Sequence, residues 1–454
     1  MSKRNIITPR TLSGFMELPP QEQVLFERIK RTLEDTYQMY GFFPIDTPVL
    51  EYSEILLAKS AGETEKQVYR FNKGDKDIAM RFDLTVPLAK YVAKNYSAIT
   101  FPFKRYAIGK VYRGERAQKG RFREFYQADI DIIGDGSLSI VNDAEIPSII
   151  YTIFTDLGLS DFTIRINNRK ILNGLFEMNG LDENATDIMR TIDKIDKIGV
   201  EATKEELIGL GVEIETAAML IELMTYKDTN ENVLAKLETY TGKSETFDLG
   251  YQELKDVIYY IGKFGVPEKN YRIDLSIARG LDYYTGTVYE TFVNDHPEIG
   301  SVCSGGRYDN LAEYYTKKSL PGVGMSIGLT RFFYVLNEYK YLNTKLNAPA
   351  DVLIIPMTDD MSTAVSISAR LRDEGLRTQI YMEKKKFKAK ISYANKLSIP
   401  YAMFLGEDEI KEDKVTVKNM YSGEQVTVSL DDAVETMIAS LFELEGEAII
   451  SGEK

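Results

Sequence analysis

Histidine is almost absent from this sequence. Of 454 residues only His296 is one, so the side chain that most often moves protons near neutral pH is nearly missing. Cysteine is just as scarce. A single thiol, Cys303, excludes an internal disulfide and a cysteine-based zinc site, and it suits a reducing compartment. Both residues read as structural or as having no special role. Positive charge is also in deficit: the formal net charge of −13 argues against a generically basic nucleic-acid binder. It leaves room for a local basic groove, because repulsion is screened beyond roughly 8 Å at physiological salt. No apolar run approaches the roughly 18 residues of a membrane span, and MSKRNIITPRTLSGF lacks the apolar core of a secretory signal. A soluble, cytoplasmic protein with no membrane partner is expected. Hydrophobic content of 44% and charged content of 28% are those of an ordinary globular chain, and the length suggests about three domains.

The order of elements can be read from periodicity. Residues 20–40 predict an amphipathic helix, with Leu25, Ile29, Leu33 and Tyr37 at i+4 spacing and Gly41 after it. FFPIDTPVLEY (42–52) predicts a short strand interrupted by Pro44 and Pro48, hence a sheet edge or an interface. DIAMRFDLTVPLAKYVA turns from strand to helix near Asp83–Thr85, where both side chains can cap. Two strands, KRYAIGKVYRGE and REFYQADIDIIG, are joined by the basic loop RAQKGRF. Helix and then the strand FTIRIN follow, and 168–267 is helical and charged. Strands resume in YRIDLSIARGLDYYTGTVYE and SVCSGG. NTKLNAPA (343–350) reads as a polar linker, and beyond it strands and helices alternate in an α/β module of roughly one hundred residues. The tail EGEAIISGEK reads as frayed.

Four segments carry polar residues or glycines that a plain sheet does not need. In ARGLDYYTGTVYE (278–290) an arginine, an aspartate and paired tyrosines sit in a β-prone run. In the hairpin from Tyr112 to Asp131, Arg113 and Glu115 are two apart and so share a strand face, with Arg121 and Phe125 across the loop. Forked guanidinium donors suit phosphate, and an aromatic face suits a nucleobase. A solvated hairpin with cross-strand ion pairs is the plainer alternative. In GVGMSIGLTR (322–331) and SGGRYDN (304–310) the glycines permit close backbone approach, or simply tight packing. Neither the Rossmann nor the P-loop pattern fits.

Together these segments resemble the histidyl-tRNA synthetase family of class II aminoacyl-tRNA synthetases. YRGERAQKGRFREFYQADIDIIG resembles its motif 2, GVGMSIGLTR its motif 3 and PIDTPVLEY its motif 1; ARGLDYYTGTVYE and SVCSGGRYDNL resemble its two histidine-specific signatures. The likeness runs from about residue 8 to 440. Ser326 and Thr330 depart from the commonest motif 3 residues, glycine and an acid. The resemblance implies an antiparallel-sheet catalytic domain (1–167 and 268–342) with a helical insertion (168–267). A C-terminal α/β anticodon-binding domain (343–440) and a tail (441–454) would complete the chain.

It further implies a homodimer that activates L-histidine with ATP and Mg²⁺ and transfers it to histidine tRNA. A catalytically silent relative, such as a regulatory subunit of ATP phosphoribosyltransferase, is the rival reading. The catalytic residues implied are Arg113, Arg279 and Gln127. ATP would be held by Arg113, Glu115, Arg121, Phe125 and Arg331. Histidine would be held by Asp83, Thr85, Arg113, Gln127, Asp131, Arg279, Tyr283, Tyr284 and Tyr308. Arg116, Gln118, Lys384, Lys385 and Lys386 are the tRNA-contact candidates. For Asp131 a simple pairing with a nearby arginine is the alternative, and the lysine run of EKKKFKAK also reads as a solvated helix face. Activation of this kind needs no proton shuttle: the attacking carboxylate is already ionised, and fixed charge and positioning do the work.

Overall fold

The computed structural model describes residues 7–58, 63–116, 120–192, 194–277 and 284–451. By contacts the chain divides into two compact units, Met1–Met16 with Thr32–Val335 and Glu17–Arg31 with Leu336–Lys454. The expected first helix is Pro20–Met39, with Leu25, Ile29, Leu33 and Tyr37 on its buried face. The FFPIDTPVLEY segment makes two strands, not one: β1 (Phe43–Pro44) and β2 (Leu50–Tyr52) join different sheets. Prolines that cannot donate to a ladder separate them.

β3 (Arg70–Lys73) and β4 (Lys76–Met80) complete a small sheet of order β2-β4-β3. The chain then turns into the helix Thr85–Asn95, where Asp83 Oδ1 accepts the Val86 N–H at 3.0 Å. The central hairpin, β5 (Phe103–Tyr112) and β6 (Glu124–Ile133), is a ten-residue antiparallel ladder. With β7 (Phe162–Asn168), β8 (Tyr271–Ile273), β9 (Thr287–Val293), β10 (Cys303–Tyr308) and β11 (Gly322–Ile327) it forms one sheet, ordered β1-β5-β6-β11-β10-β9-β7-β8. All pairings are antiparallel except β1–β5 and β7–β8.

The helix Val141–Asp156 packs on this sheet. Phe154 meets Phe162 edge-on at 5.1 Å and stacks on Phe332 at 5.3 Å. Between β7 and β8 the described chain is helical, as the sequence predicted.

The second unit carries its own sheet: β12 (Val352–Pro356), β13 (Thr378–Ile380), β14 (Tyr401–Leu405), β15 (Lys414–Asn419) and β16 (Gln425–Ser429), ordered β13-β12-β14-β15-β16. Both faces of β12 and β14 are buried, under the helices Ser362–Asp373 and Leu430–Glu445 on one side and Phe387–Lys396 on the other.

Two expectations need correction here. NTKLNAPA is not a loose linker. Its Leu346, Ala348 and Ala350 are buried, and Asn343 caps a short helical turn by accepting the Lys345 N–H. Nor is the tail frayed as far as residue 451. Ile450 is buried and bridges Leu342, while Ser451 donates to the Tyr341 carbonyl and Asn343 to that of Ile449. The polar composition hid two apolar residues, Ile449 and Ile450, that tie the chain end down.

Candidate active site

The large sheet holds a cleft of about 450 Å³, ample for a small ligand. Gly305, Gly324 and Gly328 are among its lining residues. A Cβ on Gly324 would lie 2.4 Å from Asp131 Oδ1, and one on Gly322 would lie 2.4 Å from the Tyr308 ring. The glycine spacing of β11 therefore serves neighbouring strands, letting Asp131 and Tyr308 lie flat across it.

β6 supplies the polar wall. Strand alternation puts Gln127, Asp129 and Asp131 on one face, and all three line the cleft. Gln127 donates to Ser326 Oγ at 2.7 Å, and Thr330 Oγ1 accepts the Tyr126 N–H at 2.8 Å. The two departures from the usual motif 3 residues thus bond directly to the strand that carries the site.

Asp131 is engaged twice. Tyr308 donates to Oδ1 at 2.6 Å, and Arg105, 1% exposed, brings Nη2 to 2.7 Å from Oδ2. That ion pair lacks hydrogen-bond alignment, and Arg105 Nε and Nη1 have no hydrogen-bond partner. Arg105 was missed in the sequence, although the hairpin register sets it directly opposite Asp131. The pairing with an arginine that stood as the alternative for Asp131 is therefore present. Burial raises the Asp131 carboxyl against the pull of Arg105 and Tyr308, and it raises the Tyr308 phenol, helped by Asp131.

Four buried acceptors in the cleft have no hydrogen-bond donor: Asp83 Oδ2, Gln127 Oε1, Asp129 Oδ1 and the Arg105-paired Asp131 Oδ2. Burial pushes Asp83 up to about 6 against the Val86 N–H and Arg113, and Asp129 up to about 7 against Arg105 and Ser326. Thr85, at the start of the following helix, lines the same region.

The cationic residues come from the hairpin ends and from the helix Leu329–Glu338. Arg113 and Glu115 lie beyond the end of β5, not on the shared strand face expected of them. The ladder stops at Tyr112–Glu124, and the Arg113 N–H donates to the Arg123 carbonyl just beyond it. Both still line the cleft. Arg113 donates Nε to the Phe82 carbonyl at 3.1 Å and sets its guanidinium 5.1 Å from the Phe125 ring centre. Arg121 pairs with Glu115 at 3.7 Å. Burial lowers Arg331, and the neighbouring charge of Arg121 lowers it further. Two guanidinium groups that repel each other in a cleft favour an anion between them.

Tyr284 completes the lining on the β9 side, and Cys303 sits in the wall with its thiol raised by burial. Arg279 and Tyr283 lie outside the described residues, as does Gln118; Arg116 is exposed beside that loop. Among the described residues no group of three or more His, Cys, Asp or Glu side chains could hold a metal ion. None of the described helices is long and apolar enough to cross a membrane.

An antiparallel sheet with a helical insertion, a polar cleft edged by guanidinium groups and a separate α/β unit define a class II aminoacyl-tRNA synthetase. Comparison with known proteins narrows this. The family profile described as histidyl-tRNA synthetase matches residues 14–332, and one described as an anticodon binding domain matches 351–440. A histidine–tRNA ligase from Clostridium tetani is 54% identical over 95% of this chain and 99% of its own. The crystal structure of histidyl-tRNA synthetase from Nostoc sp. PCC 7120 superposes with a TM-score of 0.90 at 39% identity, covering 96% of this chain and all of that one. A structure from Bacillus halodurans C, described as an ATP phosphoribosyltransferase regulatory subunit/histidyl-tRNA synthetase, shares the fold at a TM-score of 0.70 and 20% identity, over 86% of this chain and 97% of its own. The chain belongs to the histidyl-tRNA synthetase family.

Proposed function

We propose that this cleft performs the amino-acid activation of a histidine–tRNA ligase. Histidine's carboxylate attacks the α-phosphorus of ATP, pyrophosphate leaves, and the 3′-terminal adenosine of histidine tRNA then takes the histidyl group. The observation that carries the reading is the presence, in one cleft, of donor-less buried acceptors beside a set of guanidinium groups. The acceptors Asp83 and Gln127, with Thr85, suit an α-ammonium. Arg113 and Arg279 would hold the α-phosphate, and Arg121 and Arg331 the γ-phosphate. Phe125 and Arg331 would bracket the adenine, with Glu115 at its edge. Fixed charge aimed at the developing negative charge lowers the barrier without a proton transfer. Asp131, Tyr283, Tyr284 and Tyr308 would surround the imidazole.

Magnesium is part of the substrate, MgATP. Such an ion needs only one or two carboxylates beside the phosphates, and Glu115 and Glu290 line the cleft. Residues 1–167 with 268–342 would form the catalytic domain, 168–267 a tRNA-contacting insertion and 343–440 the anticodon handle, ahead of the tail (441–454). Lys384, Lys385 and Lys386 are exposed just before the helix Phe387–Lys396, where they would neutralise phosphates; Arg116 and Gln118 would serve the acceptor end. A cytoplasmic homodimer is the expected working form. ATP–pyrophosphate exchange tested across the twenty amino acids should respond to histidine. Exchange with another amino acid, or with none, would overturn this reading.

A further inference from the structure

We infer that Asp129 is a substrate-contacting, specificity-determining residue, whose carboxylate holds the α-ammonium of histidine together with Asp83 and Gln127. The inference rests on the reading above and adds a residue to which no role was assigned.

An ammonium group presents three N–H donors, whereas an imidazole presents two at most. Four buried oxygens in the cleft lack a hydrogen-bond donor: Asp83 Oδ2, Gln127 Oε1, Asp129 Oδ1 and Asp131 Oδ2, of which the last already lies 2.7 Å from Arg105 Nη2, leaving three for an ammonium. Gln127 and Asp129 are adjacent on one face of β6, and Asp83 is near enough for its charge to act on Asp129. Asp131 is the less available carboxylate for an ammonium, since Tyr308 donates to Oδ1 and the Arg105 guanidinium 2.7 Å from Oδ2 already balances its charge. A carboxylate 2% exposed with an unsatisfied oxygen is costly unless a ligand completes it. A bound cation would.

A pH signature follows. The groups facing Asp129 are Arg105 on β5, Asp131 on its own strand, Asp83 before the helix Thr85–Asn95, Ser326 on β11, Cys303 on β10 and Tyr37 on the first helix. Burial leaves the carboxyl at about 7 before substrate enters. The ammonium binds only the ionised form, so binding expels a proton, and affinity falls as pH drops below that value. A second step follows near Asp83, at about 6.

The test compares wild type with Asp129→Asn, which keeps shape and removes charge. Three probes are used: histidine, histidinol (ammonium without carboxylate) and imidazolyl-lactate (carboxylate without ammonium). Losing a charge-assisted hydrogen bond should weaken histidine and histidinol about ten- to a hundredfold, with imidazolyl-lactate held within about twofold. The KM for ATP should hold, and the upper pH step should vanish from the KM for histidine. The melting temperature should stay level or rise, because an unpaired buried charge has gone. Equal weakening of all three probes, or of imidazolyl-lactate alone, would overturn the assignment. So would unchanged KM values, or a melting temperature that falls while kcat and both KM values change together. If Asn does not fold, Asp129→Ala is read by the same criteria; failure of both to fold makes the carboxylate structural and ends the proposal. Histidine-dependent exchange by wild type decides the parent reading separately.

Discussion

Arg307 stands beside Tyr308 in the glycine-rich SGGRYDN segment, yet it is not among the residues lining the cleft. Its Nε and Nη2 donate to the fully buried Asp143 at 2.6–3.2 Å, and Nη2 also reaches the carbonyls of Leu138 and Ser139. Thr287 Oγ1 donates to the same carboxylate at 2.7 Å. This buried pair fastens β10 to the helix Val141–Asp156 and so fixes the strand from which Tyr308 projects. Arg307→Ala should cost about 3–5 kcal/mol, because it strands a buried charge. Urea unfolding reads the loss directly. Burial already raises the Asp143 carboxyl with arginine present. Without arginine the folded state would hold a proton that the unfolded state releases, so the variant's stability should fall as pH rises above the ordinary carboxylate range, roughly pH 4. A variant within 1 kcal/mol of wild type, on the same scale, would show that the pair bears little weight.

At the scale of elements, close packing between helices is the sharpest feature of the insertion. The helices Arg169–Met178 and Glu245–Lys263 meet at two glycines. A Cβ on Gly174 would lie 2.5 Å from the Phe247 backbone nitrogen, and one on Gly250 2.8 Å from that of Ile171. Gly174→Ala should therefore destabilise by about 1–3 kcal/mol through overpacking, despite alanine's better helix propensity. Histidine-dependent exchange should be retained below the melting transition. A higher melting temperature would mean that the helices part at no cost.

Elements of this kind were legible where period and punctuation agreed. The β5–β6 hairpin, the capped helix after Asp83 and the C-terminal strand–helix alternation could all be read from pattern. Pairing across the sheet could not. Arg105 faces Asp131 only through register, and a polar strand residue gives no sign of its partner. The same limit hid Arg307 and Asp143, 164 positions apart. The end of β5 was misplaced because Arg113 and Glu115 continue the alternation after the ladder has stopped. The tail was misread because two isoleucines in an acidic run look like a loose end.

For the molecule as a whole, a net charge of −13 gives copies no long-range attraction, so association has to come from local apolar surface. The short strands near the N-terminal end of the large unit expose such residues: Phe43 is 65% exposed, Tyr52 48%, Leu50 46% and Phe71 44%. β1 is moreover the edge of the large sheet, and an apolar edge left bare invites pairing. The proposed homodimer would bury this region. Asp83, Gln127 and the guanidinium groups of the cleft all belong to elements that follow it in the same unit, so loss of the dimer should also depress exchange. The double variant Phe43→Glu with Tyr52→Glu places like charges on both sides of any symmetric contact. Sedimentation velocity at micromolar protein should then show a monomer where wild type sediments as a dimer, with unfolding of the isolated chain checked by circular dichroism. A variant that stays dimeric would move the interface elsewhere, and a fully active monomer would separate dimerisation from catalysis.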